Sequence, residues 1–177
     1  MAAMVMLFAM AVPAFAALPT SGSAHFYAWG GATIGGSKAA LTGMGQGNHL
    51  KVSTSNLPSS QTWIVKIASA GGYTISRDEN RQNCVNIYRV AQSTSTPYCY
   101  YYATEYPYES STNGRDQRVS YTKVNGKDAI YLYSPLVSTS GSVSGSWYLV
   151  TDATNPSTQS DVIWFGDASA AKGHWTA

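Results

Sequence analysis

Gln61-Thr62-Trp63 decides the fold that we predict for this chain. It marks the strand that closes the first third of the sequence, and similar closing strands recur further on. Weaker copies are Gln117-Arg118-Val119, where valine replaces the tryptophan, and Gly145-Ser146-Trp147, where the glutamine is absent. Cuts after Ile67 and near Val124 leave three blocks of about 40 to 55 residues, a period typical of repeated structural units. Three unequal repeats that each keep a closing strand predict a barrel with pseudo-threefold symmetry.

Apolar and polar residues alternate along much of the chain, with the period of two that is typical of β-strands. The strongest turn signal between two such segments is Asn125-Gly126, because both residues tolerate the positive φ angles of a tight hairpin. No window shows an apolar stripe at the helical period, so we expect little helix. The sequence predicts an all-β domain of about ten short strands, folded as a barrel or, as the alternative, as a β-sandwich. The alternating segments are residues 50–54, 63–67, 85–87, 119–124, 129–133, 146–150 and 162–165.

The composition argues against several classes of partner. Charged residues make up only 11% of the 177 residues, against about 25% in an average protein. The net charge of +2 is scattered and forms no basic cluster, so we expect no nucleic-acid partner. Two cysteines without clustered histidines make a poor zinc site, and we expect neither a metal ion nor a cofactor.

Residues 1–16 have the pattern of a signal peptide. An apolar run from Met4 ends in Ala14-Phe15-Ala16, whose small residues fit a signal-peptidase site. The run is shorter than the roughly 20 residues that span a bilayer, and no later segment is apolar enough to do so. No Lys or Arg precedes Lys38, which departs from the usual pattern, and the alternative is a buried N-terminal strand or helix. We expect residues 17–177 to form a single secreted domain that is monomeric.

These motifs resemble the ricin-B-type β-trefoil family, whose three repeats close on Gln-x-Trp strands. Ser60-Gln61-Thr62-Trp63 is similar to that closing strand. Cys84-Val85-Asn86-Ile87, followed by Cys99 and then Asp116-Gln117, is similar to a sugar-binding repeat. There the family has Cys-x-Asp, a second cysteine, an aromatic platform and Asn-Gln before the last strand. The resemblance implies a β-trefoil fold.

The resemblance also implies a carbohydrate site in the second repeat. Asn86 falls where the family has a carboxylate, and its neutral amide lacks charge-assisted hydrogen bonds that are about twice as strong. The stacking ring falls on Tyr98, Tyr100 or Tyr102. Because the other repeats lack Cys-x-Asp, a working site would be single and weak, or would have moved. The implied ligand-binding residues are Asn86, Tyr98, Tyr100, Asn113, Asp116 and Gln117.

Four residues are expected to hold the fold together. Cys84 and Cys99 are predicted to form a disulfide, since a cysteine pair in an exported protein is usually bridged. Trp63 is predicted to fill the core, and Gln61 to bond nearby backbone. The tyrosine-rich stretch 98–108 is either a strand with rings alternating inside and outside, or a stacking surface for a sugar or a partner protein.

We therefore expect a carbohydrate-binding, lectin-like protein without catalytic activity, whose partner is a glycan or a glycoprotein. The alternative is a protein-interaction module, such as an effector or a protease inhibitor, that binds through residues 92–115 or 134–146. A small secreted ribonuclease is the leading enzymatic alternative, and Glu105 with Glu109 is a weaker candidate for a glycosidase pair. The candidate acids, bases and phosphate-binding residues of a ribonuclease are His25, His49, His174, Glu105, Glu109 and Arg115.

Overall fold

The structure, a computed structural model, describes residues 17–56, 58–88, 100–110, 116–133, 146–169 and 171–177. These residues form twelve strands and short 3-10 turns at Ser59–Gln61 and Ala171–Gly173, so the all-β prediction is confirmed. Within these ranges no helix has the length and apolar character needed to cross a membrane. The predicted signal peptide, residues 1–16, lies outside the described residues. In chain order the strands are β1 (Gly22–Ala24), β2 (Thr33–Ile34), β3 (Ser37–Thr42), β4 (Lys51–Thr54), β5 (Trp63–Ile67), β6 (Tyr73–Ser76), β7 (Cys84–Ile87), β8 (Tyr100–Tyr106), β9 (Val119–Val124), β10 (Lys127–Leu132), β11 (Tyr148–Thr151) and β12 (Ser160–Phe165).

Seven of these strands close into a ring of antiparallel neighbours. The order around the ring is β6, β9, β10, β11, β12, β8, β7 and back to β6. β5 and β1 extend the sheet from β6, while β4, β3 and β2 extend it from β12. Because the hydrogen-bonded ring closes on itself, the molecule is a barrel and the β-sandwich alternative is wrong.

The barrel is built from three lobes, and the first two end where the sequence repeats were expected to end. Lobe 1 spans residues 26–67, lobe 2 residues 73–124 and lobe 3 residues 127–176, so β5 and β9 close the first two. Two backbone hydrogen bonds join the start of lobe 1 to the end of lobe 3, from Tyr27 N to Thr176 O (2.8 Å) and from Thr176 N to Tyr27 O (3.0 Å). The last strand-like segment of lobe 3 therefore closes onto the first segment of lobe 1.

The hairpin between lobes 2 and 3 is the tight turn that the sequence predicts. Val124 pairs with Lys127 across it. Asn125 and Gly126, the two central residues, have φ angles of 52° and 76°. Both angles lie in the left-handed region that matches the twist of a two-residue hairpin.

Tryptophans from different lobes meet in the core. Trp63, Trp164 and Trp175 are fully buried. The indole N–H of Trp63 donates to Leu41 O on β3 at 3.0 Å, and that of Trp175 donates to Leu149 O on β11 at 2.8 Å. Trp63 and Trp175 thus make the same contact, each with the second strand of its own lobe.

The third copy of the closing motif is Gly173-His174-Trp175, and the expected copy at Gly145-Ser146-Trp147 is wrong. Trp147 directly precedes β11 and packs edge-on against Tyr101, with ring centroids 4.9 Å apart. It belongs to the second strand of lobe 3, whereas Trp175 makes the contacts of a closing strand. Both segments have a glycine two residues before a tryptophan, so this spacing alone did not distinguish them.

Gln61 and Gln117 occupy equivalent places in lobes 1 and 2. Both side chains are buried. The amide of Gln61 donates to the carbonyl of Thr54, which ends β4, and that of Gln117 donates to the carbonyl of Tyr106, which ends β8 (3.1 and 3.2 Å). Each side-chain carbonyl accepts a backbone N–H from the same connecting loop, at 3.2 and 2.8 Å. The glutamines therefore tie the end of the third strand of a lobe to its closing strand.

Cys84 is a buried free thiol, and the structure does not contain the predicted Cys84–Cys99 disulfide. Cys84 faces Tyr106 across the β7–β8 hairpin, whereas Tyr100, the sequence neighbour of Cys99, begins β8. At about 3.3 Å per residue, the two ends of β8 lie about 20 Å apart, and a disulfide requires Cα atoms within about 7 Å. Burial raises the pKa of the Cys84 thiol to about 12, which keeps it protonated near neutral pH. Cys99 itself lies outside the described residues.

Candidate functional site

β8 sends alternate rings to opposite sides of the barrel wall. Tyr101 is buried in the core against Trp147. Tyr100 and Tyr102 are half-buried on the outer side, where their rings meet edge to face with centroids 5.8 Å apart. The tyrosine-rich segment is therefore a strand with rings inside and outside, and its outer rings are placed where a ligand can reach them.

The neighbouring strand β12 continues this outer surface. Phe165 pairs with Tyr100 and Ile163 pairs with Tyr102, so these four side chains share one face. Tyr148 of β11 pairs in turn with Phe165. Together with small buried residues of β10 and β11, they form an apolar cluster separate from the barrel core. The barrel thus carries a half-buried aromatic surface on its outer wall.

A cleft of about 300 Å³ opens on this surface between lobes 2 and 3, and we call it the aromatic cleft. Its charged residues are Asp152 and Lys172. The ammonium group of Lys172 lies 4.7 Å from the ring centroid of Phe165, within the range of a cation–π contact. Burial, and then the neighbouring carboxylate of Asp161, raises the pKa of Asp152. The lining residues are Tyr100, Tyr102, Asp152, Ile163, Phe165 and Lys172.

His49 extends the aromatic surface beyond Tyr102. The two rings are stacked, with centroids 3.6 Å apart and planes 18° apart. Asp161 lies behind them, and its carboxylate is 2.7 Å from Lys51 Nζ and 3.7 Å from His49 Nδ1. A second depression, of about 470 Å³, opens on the other side of His49. It is lined by Met44, Gly47, Asn48, His49 and Lys51.

A buried ion pair fixes the loop that carries His49. Glu105 has no exposed surface and pairs with Arg77, while its other carboxylate oxygen accepts the backbone N–H of Gly45 at 2.6 Å. The pair fills the space beside Gly43, where an added Cβ would lie 2.7 Å from the Glu105 carboxylate. Glu105, a candidate acid of the ribonuclease alternative, is therefore engaged in holding the loop.

Three of the residues predicted for a sugar site in lobe 2 are already bonded to the protein. The Asn86 amide donates to Thr104 Oγ1 across the hairpin at 3.1 Å and to Ile87 O at 2.9 Å. Gln117 is buried and bonded to its loop, and Asp116 is buried with partners inside the protein.

The aromatic cleft contains only part of the residue set predicted for a sugar site. The aromatic cleft includes Tyr100 but neither Asn86 nor Gln117. Tyr98 and Asn113 lie outside the described residues, as does most of the two segments proposed to bind a protein partner, 92–115 and 134–146.

The three histidines lie in three separate settings. His25 Nδ1 is 2.9 Å from Gln61 O, His49 stacks on Tyr102, and His174 is buried beside Trp175. The backbone N–H of Glu109 donates to Gln117, and Arg115 lies outside the described residues. In the described part of the chain, no group of three or more His, Cys, Asp or Glu side chains could hold a metal ion.

Sequence reasoning singled out Tyr100 and Tyr102 but missed the residues that complete the cleft. Phe165 carries a signal, because the alternation of the segment ending at Phe165 places it on the same face as Ile163. Asp152 and Lys172 carry none, since Asp152 follows β11, Lys172 lies in the 3-10 turn Ala171–Gly173, and both reach the cleft only through closure of the barrel.

Solved structures show which class of fold this is. The crystal structure of a designed 3-fold symmetric protein, ThreeFoil, is similar with a TM-score of 0.60 and 14% sequence identity, and the match covers 86% of this chain and 95% of that one. The agglutinin of Rhizoctonia solani is similar with a TM-score of 0.59 and 13% identity, over 90% of this chain and 95% of that one. The chain is a β-trefoil protein, and the fold implied by the resemblance to ricin-B-type proteins is confirmed. No protein-family model and no curated protein matches the sequence.

Proposed function

We propose that this protein binds carbohydrate in the aromatic cleft. One observation carries the proposal: the rings of Tyr100, Tyr102 and Phe165 surround a single cleft that also holds one carboxylate and one ammonium group. The volume of about 300 Å³ is at the lower end of the range for ligand pockets. It fits a monosaccharide or the terminal residue of a glycan.

The chemistry of the cleft matches that of a sugar. The C–H face of a pyranose packs on an aromatic ring, and neighbouring hydroxyl groups need a fixed acceptor and a fixed donor. Asp152 supplies the acceptor and Lys172 the donor, and hydrogen bonds to charged groups are about twice as strong as neutral ones. Because protonation removes the acceptor, binding weakens as the pH falls through the raised pKa of Asp152.

A longer glycan would extend along the stacked pair formed by Tyr102 and His49. The depression beyond His49 has room for a second sugar residue, and Lys51 and Asn48 offer donors there. This arrangement predicts that affinity rises from a monosaccharide to a disaccharide.

The proposed activity is binding without catalysis. The β-trefoil fold supports it, and one of the two similar solved structures is an agglutinin. The site differs from the one that the resemblance implies, since it lies between lobes 2 and 3 and uses neither Asn86 nor Gln117.

We also propose that the protein is exported as a monomer after removal of residues 1–16. The small residues Ala14 and Ala16 support cleavage before Ala17. Mass spectrometry of the N-terminus of protein recovered from culture medium tests this, with Ala17 expected as the first residue. An intact N-terminus on exported protein would contradict it. Light scattering tests the monomer.

A glycan array followed by calorimetric titration of the best ligand tests the carbohydrate proposal. Tyr100→Ala and Phe165→Ala remove ring faces from the cleft, and we expect each to weaken binding about tenfold, or about 1.4 kcal/mol. Tyr106→Ala is the matched control, because Tyr106 lies on the same strand but is 45% exposed and does not line the cleft.

If the folded protein bound none of the glycans on the array, the result would contradict the proposal and favour a protein partner. Equal losses in Tyr100→Ala and Tyr106→Ala would show that the ligand binds elsewhere.

A further inference from the structure

A further cleft, of about 330 Å³, lies where the last residues of lobe 3 meet lobe 1. We call it the terminal cleft. It shares no lining residue with the aromatic cleft. The residues that bear on its chemistry are Trp29, Lys123, Lys127, Asp128, His174 and Trp175.

His174 is an unpartnered polar group in the wall of this cleft. Its side chain is 95% buried, since only 5% of the residue is exposed, and among the described residues neither ring nitrogen has a hydrogen-bond partner. A neutral imidazole offers one donor and one acceptor, and leaving both unmade in the interior is costly. Such a group is expected to bind something that the protein itself does not supply.

The backbone holds His174 in this place. Gly30 N donates to His174 O at 2.9 Å, and Trp175 N donates to Asp128 O at 3.0 Å, so the segment is pinned on both sides. Trp175 also anchors its indole in the core. The backbone of His174 therefore cannot move away from the cleft wall without breaking the closure between lobes 3 and 1.

The lobe 1 side of the cleft, next to His174, has a strained backbone conformation. Trp29 has a φ of 51°, in the left-handed region that bulky residues avoid, and Gly30 follows with a φ of 66°. The Trp29 indole is tied to Ala153 O at 3.1 Å, which fixes the strained turn against lobe 3. Backbone strain of this kind is concentrated at ligand sites.

The charges at the cleft favour an anion. Lys123 is paired with Asp128 at 2.8 Å, whereas Lys127 has no ion-pair partner in the part of the chain that the structure describes. Burial, and then the positive charge of Lys127, lowers the pKa of His174. The groups that reach the cleft from lobe 1, Trp29 and Gly30, carry no charge. One cation is therefore left without compensation beside an imidazole without a partner.

We propose that the terminal cleft binds a small organic molecule bearing an oxyanion, either a carboxylate, as in an acidic sugar, or a phosphate monoester. The oxyanion pairs with the ammonium group of Lys127 and accepts a hydrogen bond from His174. An anion in the cleft offsets the repulsion from Lys127 and favours the imidazolium form of His174. Binding therefore takes up a proton and is tighter at pH 6 than at pH 8.

Calorimetric titration of the full chain with D-glucuronate, glucose 6-phosphate and neutral D-glucose tests this proposal. We expect at least one of the two anions to bind at pH 6, with affinity falling about tenfold at pH 8. The tighter of the two identifies the oxyanion. Absence of binding by both anions at pH 6 would overturn the proposal, whereas binding of neutral glucose would report on the aromatic cleft.

Lys127→Gln is the decisive variant, because Lys127 is exposed and its loss leaves the fold intact. Lys127→Gln should weaken anion binding about tenfold at pH 6. The control Lys66→Gln removes one positive charge from lobe 1, away from the cleft, and should change binding less than about twofold. Equal effects of the two variants would show a general charge effect and contradict a built site.

Imidazole NMR signals give a readout that does not depend on variant stability. The chain has only three histidines, so His174→Gln identifies the His174 signal by its loss. The bound anion should raise the pKa of His174 in wild type and leave the titration of His25 and His49 unchanged. Because the two clefts share no residue, failure here leaves the carbohydrate proposal standing, and the reverse also holds.

Discussion

The closing strands of lobes 1 and 3 contain the same tryptophan but differ in the residues before it. In lobe 1, Gln61 ties the closing strand to the preceding loop and Thr62 is half-buried. In lobe 3, Gly173 stands in the glutamine's place, and His174, in the position of Thr62, is buried with no hydrogen-bond partner among the residues that the structure describes. The two members of the Gln-x-Trp motif therefore have separate roles, the ring in the core and the amide in the loop, and a lobe can keep one without the other.

Lobe 3 has no room for the glutamine. A Cβ at Gly173 would lie 2.7 Å from Ala168 Cα and 2.9 Å from Ala168 O. The backbone of the loop after β12 thus occupies the space that the Gln61 side chain fills in lobe 1. Lobe 3 replaces an amide anchor with direct backbone packing, and the buried histidine beside it lines the terminal cleft.

Loss of the shared indoles should have the largest effect. Trp63→Ala and Trp175→Ala each remove a fully buried ring and its hydrogen bond, and we expect each to lower the free energy of unfolding by about 3 to 5 kcal/mol. Urea denaturation measures both. A cost below about 1 kcal/mol for Trp175→Ala would break the equivalence of the two closing strands.

Loss of the loop anchors should have the next largest effect. Gln61→Ala and Gln117→Ala each remove a buried amide together with its hydrogen bonds to the connecting loop, which should cost about 2 to 3 kcal/mol. Gln82→Ala is the control, because Gln82 is exposed and should stay within about 0.5 kcal/mol of wild type. If lobe 2 lost much less than lobe 1, the anchor would depend on the tryptophan that lobe 2 lacks.

Adding a methyl group in lobe 3 tests why the glutamine is missing there. Gly173→Ala forces a Cβ into the Ala168 backbone and should cost about 1 to 2 kcal/mol. Gly166→Ala is the matched control, since a Cβ at Gly166 meets nothing within 4 Å and the residue has no positive φ. Thermal melting of the two variants gives the difference, and similar melting temperatures would contradict the packing explanation.

The pH dependence of stability should show the smallest effect. The pKa of His174 lies below its ordinary value of 6.5 because burial, and then Lys127, disfavours the charged form. The unfolded chain therefore takes up the proton first as the pH falls. His174 leaves stability unaffected well above pH 6.5, and the free energy of unfolding decreases below it until the folded form is also protonated. Urea denaturation at a series of pH values should show this decrease, and His174→Gln should remove that part of the slope.

Local features of the fold could be read from the sequence because neighbouring residues determine them. The Asn125-Gly126 turn needs two positive φ angles, and the alternation of residues 63–67 sets which side chains share a face. Alternation does not determine burial, however, since Ile67 shares the face of Trp63 and Val65 but is 69% exposed. Alternation determines the side of a strand, but not how far the core extends along it.

Features that depend on the register between strands could not be read in this way. The cysteines looked like a closed hairpin, but Cys84 pairs with Tyr106 at the far end of β8 from Tyr100, the sequence neighbour of Cys99. The third closing strand was missed for a related reason. Trp63, Val119 and Trp175 are evenly spaced along the chain, whereas Trp147 interrupts that spacing. Even spacing was the available signal, and a strand-like segment around Trp147 obscured it.

The sequence by itself determined an all-β chain of three repeats and a strand with rings on both sides, because turn chemistry and side-chain alternation act over a few residues. Only the tertiary structure decided which outward rings meet, since β8 and β12 become neighbours through ring closure. The same closure brings Asp152 and Lys172 to Phe165, and Lys127 to His174. Residues so far apart in the chain are brought together by the hydrogen-bonding order of the strands, which no local pattern encodes.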